Sequence, residues 1–128
     1  MPDCLYRSVK VASDGHPESG RTARTLGVRP GIDIQVGDGG LVVGGEGGMS
    51  VAPNSPENLP AHRRPPEHGG TGKDPIWELD VADLGEELGY REDPLMPGAH
   101  GFVAPALPTT FDAFEAALSG TRRAWRLL

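Results

Sequence analysis

Residues 39–53 read GGLVVGGEGGMSVAP, with six glycines in the first ten positions and short apolar runs between them. Pairs of valine or leucine broken by glycine describe short strands separated by turns. Glycine inside a strand gives up side-chain packing, so it marks either a bulge or a place where another backbone or a ligand comes close. Both readings stand for this segment. Either the glycines serve turn geometry alone, or they offer bare backbone to a ligand beside the polar Ser50.

The rest of the chain extends that pattern outward. CLYRSVKVA (residues 4–12) alternates, with Leu5, Arg7, Val9 and Val11 on one parity, and predicts an opening strand. Arg7 is the odd member of that face. It is either an edge arginine whose stem covers apolar surface, or a planar fork aimed into a cleft and suited to phosphate. IDIQV (32–36), GLVVGG, GMSVAP, IWELD (76–80), GYRED and HGFVAPALP (100–108) predict further short strands. Ser55 followed by Pro56 signals a brief helical turn. Residues 61–75 form the longest stretch without a pattern, and they hold His62, Arg63, Arg64, His68 and Lys73. GGTGK within it is not a phosphate loop. Glu67 stands where the first glycine belongs and Asp74 where a Ser or Thr would hold magnesium. His62 and His68 have no partners at zinc spacing, so no metal site is expected. At the end of the chain, Phe111, Phe114, Leu118, Thr121 and Trp125 make an amphipathic helical stripe. Thr109 and Asp112 stand at capping-box spacing, and Arg122, Arg123 and Arg126 lie near the C-terminal end. VADLGEEL suggests one or two helical turns.

The sum is one compact α+β domain over residues 1–128, with short, mostly antiparallel strands and a C-terminal helix. Glycine (19) and proline (13) make up a quarter of the 128 residues, but they punctuate apolar runs, which speaks for turns rather than disorder. Residues 1–73 carry eight acidic and eight basic side chains, whereas 74–128 carry ten acidic and four basic ones. This acidic balance weighs against binding nucleic-acid backbones and leaves room for one small anion held by one or two arginines. Cys4 is alone, so no disulfide framework is expected. Asp3, Arg7, Lys10 and Asp14 interrupt the first twenty residues, so no signal peptide is expected, and no stretch is long and apolar enough to span a membrane. A cytoplasmic site of action follows, reached if necessary by a dedicated secretion machine.

LYRSV, GLVVGGEGGMSV, AHGFVAPALP and the helix ending TRRAW, in that order, resemble the NAD-dependent cytotoxins of type VI secretion. These are small effectors with an ADP-ribosyltransferase-like fold, and the likeness runs loosely over most of the chain. The resemblance implies a split antiparallel sheet and NAD as substrate. It also implies cleavage of the nicotinamide–ribose bond and a cognate immunity protein as partner. Arg7, Ser50 and His100 would be catalytic. Tyr6, Arg7, Gly47, Gly48 and Ser50 would bind the dinucleotide. One departure stands out. The fold's usual late-strand glutamate is absent from GAHGFVAP, where His100 is the nearest polar group. Glu78 lies opposite Trp77 and Leu79 on its strand and either enters a cleft or faces water. That departure keeps three readings open: an ADP-ribosyltransferase, an NAD glycohydrolase, and a non-catalytic interaction module docking through residues 61–75.

Overall fold

A computed structural model describes all residues from Met1 to Leu128. Its strands are β1 (Cys4–Ser8), β2 (Leu41–Val42), β3 (Met49–Pro53), β4 (Ile76–Asp80), β5 (Leu88–Glu92), β6 (Gly101–Pro105), β7 (Thr109–Thr110) and β8 (Arg126–Leu127). The single α-helix, α1, runs over Phe111–Gly120. The main sheet has six strands in the order β5-β6-β3-β1-β4-β8, and β2 pairs with β7 in a second small ladder. Every strand pairing is antiparallel, and the helix follows the strands instead of alternating with them. This is the α+β arrangement expected from the short punctuated strands.

Period-two alternation gives the sheet two different faces. Leu5, Val51, Trp77, Leu79 and Val103 point to one side and meet Phe114 and Leu118 of α1 in a cluster of 17 buried residues. Tyr6, Ala52 and Ile76 point to the other side and meet Leu59 in a cluster of four. Within the sheet, β1 pairs with β4 at five positions but with β3 only at Leu5–Pro53 and Tyr6–Ala52. Beyond Tyr6 the β1–β3 ladder lapses, and this gap is where the candidate site forms.

Several local expectations give way to tertiary contacts. IDIQV alternates but forms no strand. Only Ile34 is buried, bridging to Pro30 and Gly47, while Ile32 and Val36 remain exposed. Residues 61–75 are not structureless. They turn through short 3-10 helices at Ala61–Arg63 and Pro66–His68, and Arg64 donates to Leu59 O at 2.9 Å and His68 O at 2.6 Å. The turn after Ser55 is present, with the Ser55 hydroxyl accepting from Glu57 N.

At α1 the cap is Thr110, one residue after Thr109, and its Oγ1 accepts from Ala113 N. All five residues of the helical stripe are buried, but the helix ends at Gly120, before the last two. There Thr121 Oγ1 donates to Leu118 O at 2.7 Å and accepts Trp125 Nε1–H at 3.0 Å. The terminal arginines leave the helix end for other partners: Arg122 pairs with Asp14, and Arg126 with Glu78 and Asp80 across β4. Of 66 backbone–backbone hydrogen bonds, 36 lie outside regular helices and strands, so the glycine- and proline-rich connections are well tied. No helix is long and apolar enough to cross a membrane.

Candidate functional site

A cleft of about 220 Å³ lies over the place where β1 and β3 part. Its wall includes Arg7 and Ser8 from β1 and Ser50 from β3. His100 enters it from the end of the loop before β6, and Asn58, Leu59, His62 and Arg63 come from the segment that crosses above. Three of the residues singled out from the sequence, Arg7, Ser50 and His100, therefore meet in one cavity.

Arg7 sits at its base. It shares the core-facing parity of Leu5 and Val9, and its residue is only 7% exposed. A guanidinium cannot remain there without acceptors, and three carbonyls supply them. Nε donates to Thr25 O at 3.1 Å, Nη1 to Ser50 O at 2.7 Å, and Nη2 to Thr25 O at 2.8 Å and Gly27 O at 3.5 Å. The group thus substitutes for the lapsed β1–β3 ladder, satisfying the carbonyl that β1 does not reach. No carboxylate bonds to it. Burial, and then the neighbouring charge of Arg63, lower its pKa to about 10, against the opposing charge of Asp33.

Arg63 is the second cation without a carboxylate. It donates to Ser8 O at 2.8 Å and to Ala23 O, which ties the crossing segment to β1. Burial lowers its pKa as well. Arg29 is the third cation, and it has a partner: Nη2 donates to Asp33 Oδ1 at 2.8 Å and Nε to Asp33 Oδ2 at 3.1 Å. Burial pushes the Asp33 carboxyl up, but the Arg29 bonds outweigh it and hold the group below its usual range. The wall therefore carries three arginines against one aspartate, in a chain of net charge −6.

Ser50 lies opposite Phe102 in the β3–β6 ladder. His100 is two residues before Phe102 and so falls on the same side, its ring edge-on to Phe102 at 4.9 Å between centroids. Its Nδ1 is 2.8 Å from Asp93 Oδ2. Asp93 was not singled out from the sequence. It lies seven residues from His100 across a loop, and nothing in a linear reading pairs them.

No protein-family model, curated protein or solved structure matches this chain.

Three expected ligand-binding residues lie away from the cleft wall. Tyr6 turns to the opposite parity from Arg7, and its hydroxyl donates to Glu78 Oε2 at 2.7 Å. Burial and that carboxylate push its phenol up to about 12. Glu78 is in turn held by Arg126 at 2.6 Å and does not enter the cleft. Gly47 and Gly48 serve backbone packing. Gly47 has φ of 115°, and a Cβ there would fall 2.1 Å from Asp33 O, while one on Gly48 would fall 2.5 Å from Val103 O. The close approach that the glycines foretold is real, but the neighbour is the chain's own backbone. No glutamate lines the cleft.

Proposed function

We propose that this cleft binds the pyrophosphate-bearing half of a dinucleotide, NAD, and promotes cleavage of its nicotinamide–ribose bond. The observation that carries the reading is the pair Arg7 and Arg63: one buried and one half-buried guanidinium on one cavity wall, bonded only to carbonyls. A bound phosphate would supply the charge that both lack, through the donor geometry that suits guanidinium best. Arg7 has five N–H groups and uses one on Nε, one on Nη1 and two on Nη2, which leaves one on Nη1 for a ligand. Ser50 would bond a ribose hydroxyl, and His100 would face the carbon that gains positive charge as nicotinamide leaves. At about 220 Å³ the cleft is smaller than most cofactor pockets, so half the dinucleotide would enter and the rest would lie across the open mouth.

The order of motifs that resembles the NAD-dependent secretion toxins supports the same chemistry, with a split-sheet reading of the β1–β3 gap. It carries a cognate immunity protein as partner and a target-cell cytoplasm as the place of action. Between transfer and hydrolysis, one feature favours hydrolysis. The only carboxylate on the wall, Asp33, is committed to Arg29, so no free carboxylate stands by to recruit a transfer acceptor.

The test is nicotinamide release from NAD by the purified protein, alongside Arg63→Gln and Ser50→Ala. Arg7→Ala is a poor probe, because it strips three backbone carbonyls of their donor. Arg63→Gln is expected to weaken NAD binding by about tenfold or more, the scale of one lost charge-assisted hydrogen bond. A parent protein that releases no nicotinamide and gains no melting temperature from NAD refutes the proposal.

A further inference from the structure

The loop from Asp93 to His100 is held far more tightly than a hairpin connection requires. Asp93 follows directly on β5 and His100 directly precedes β6. Asp93 N donates to His100 O at 3.0 Å and closes the loop at its base. Gly98 is gripped from both sides: its N–H donates to Glu92 Oε1 at 2.7 Å, and its carbonyl accepts from Asn54 and Asn58, each at 3.3 Å.

Within this frame both oxygens of Asp93 are used. Oδ1 accepts from Leu95 N at 2.9 Å, an ordinary turn bond that an aspartate or asparagine makes with the chain two residues on. Oδ2 faces His100 Nδ1 at 2.8 Å. The bond to His100, and after it the Leu95 N–H, hold the carboxyl below its usual range. An ionised carboxylate only accepts, so Nδ1 carries the hydrogen, and in the neutral ring Nε2 then carries the lone pair. Nε2 has no protein partner and is not sealed from solvent. The Asp93 and His100 side chains are 15% and 26% exposed, and Phe102 meets the ring edge-on. The turn alone needs only Oδ1. The second oxygen orients a histidine on the wall of the cleft that holds Arg7 and Ser50.

We infer that Asp93 is a positioning residue that fixes the His100 imidazole with Nε2 as the proton acceptor for an attacking O–H group, water in the simplest case. The inference rests on the dinucleotide reading and names the acceptor in that reaction. The C1′–N bond breaks and its electron pair leaves with nicotinamide. A bond forms from the water oxygen to C1′, and the water proton passes to His100 Nε2 and then to solvent. NAD and water become ADP-ribose, nicotinamide and one proton. An imidazole that is held by a carboxylate and free at its other nitrogen suits this step.

The experiment compares the parent with Asp93→Asn, His100→Ala and the double variant, each first checked for parental melting behaviour. Asparagine keeps the turn bond to Leu95 and removes the charge behind the ring. Expected is a fall in kcat for nicotinamide release of about a hundredfold in each single variant, the scale of one general base, with KM within about twofold of the parent. The double variant should fall no further, because the two residues act as a unit. In the free protein, long-range proton–nitrogen NMR of the neutral ring should show hydrogen on Nδ1 in the parent and a mixture of tautomers in Asp93→Asn. Parental kcat in Asp93→Asn, or hydrogen on Nε2 in the parent, overturns this inference and leaves the dinucleotide reading standing. A parent that neither binds nor cleaves NAD overturns both.

Discussion

The two faces of the six-stranded sheet are held by different physics. Under α1 the contacts are apolar and dense: Leu5, Val9, Ile34, Leu79 and Val103 are fully buried, and the cluster continues through Phe114 and Trp125. On the opposite side only Tyr6, Ala52, Leu59 and Ile76 make an apolar cluster. Order there comes from long polar side chains that reach main-chain carbonyls. Arg63 bonds Ser8 and Ala23, Arg64 bonds Leu59 and His68, and Asn58 bonds Pro53, while Arg7, on the core-facing parity, bonds Thr25 and Ser50 at the gap between β1 and β3. A chain with a quarter of its residues glycine or proline cannot satisfy those carbonyls with ladders. Arginine does it instead, and it brings to the cleft charge that a packed core would not tolerate. The scaffold and the site are therefore separable by mutation.

The sharpest way to break that separation is to attack the apolar face. Phe114 is 1% exposed at the centre of the large cluster. Phe114→Ala should cost about 3–5 kcal/mol in a denaturant titration, the range for a large aromatic truncated in a core. The protein that remains folded should keep its affinity for the cleft ligand. A large loss of affinity without a loss of stability would show that the two faces are coupled.

Arg7 is the one residue that belongs to both regions, so its replacement tests the comparison from the middle. Arg7→Met removes four hydrogen bonds to three main-chain carbonyls while keeping most of the apolar stem. A loss of about 3 kcal/mol is expected, as for a buried charge-assisted network deprived of one side. Arg7→Lys should recover little of it, because one ammonium cannot reproduce the fork that spans Thr25 and Ser50. Full rescue by lysine, read by the same titration, would mean that charge alone matters at this position and that the carbonyl geometry does not.

What could be read from the sequence follows the same division. The apolar face announces itself, because burial imposes a period on the residue pattern. LYRSV, MSVAP, IWELD and GFVAP alternate and are strands, and the Phe111–Phe114–Leu118 stripe is a helix. Arg7 was visible as a cation out of place on that pattern. The polar face has no period. Arg63 reaches Ser8 across 55 residues, and Asp93 reaches His100 through a turn whose sequence marks, Pro94 and Pro97-Gly98, signal a turn but not which side chains it brings together. Gly47 and Gly48 carried a true signal of close approach, but glycine does not say whether the neighbour is ligand or backbone. IDIQV alternated as a strand does, yet no edge was free to pair with more than Ile34. Contacts of that kind depend on which loops fold over which strands, and composition and spacing do not determine it.

The smallest expected effect is also the one that tells the faces apart by condition and not by residue. Asp74 is 5% exposed and lies behind the crossing segment, where Arg24 donates to both of its oxygens at 2.7 Å and its carbonyl accepts the Ser8 hydroxyl at 3.0 Å. The Arg24 bonds hold its carboxyl below the usual aspartate range, against the opposing effect of burial. A carboxyl with a depressed folded-state pKa adds stability that is fully present above its unfolded value, about pH 4, and is lost as pH falls through the lower folded-state value. The cleft side should therefore loosen in acid while the apolar face holds. Asp74→Asn should cost about 2 kcal/mol at neutral pH, the scale of hydrogen bonds to a charged group, and the cost should shrink as the pH falls below that range. Amide hydrogen exchange would localise the change, with faster exchange in residues 23–25 and 61–75 at low pH and little change in β4 and β6. Uniform acceleration across both faces would mean that the polar side does not open by itself and that the sheet unfolds as one unit.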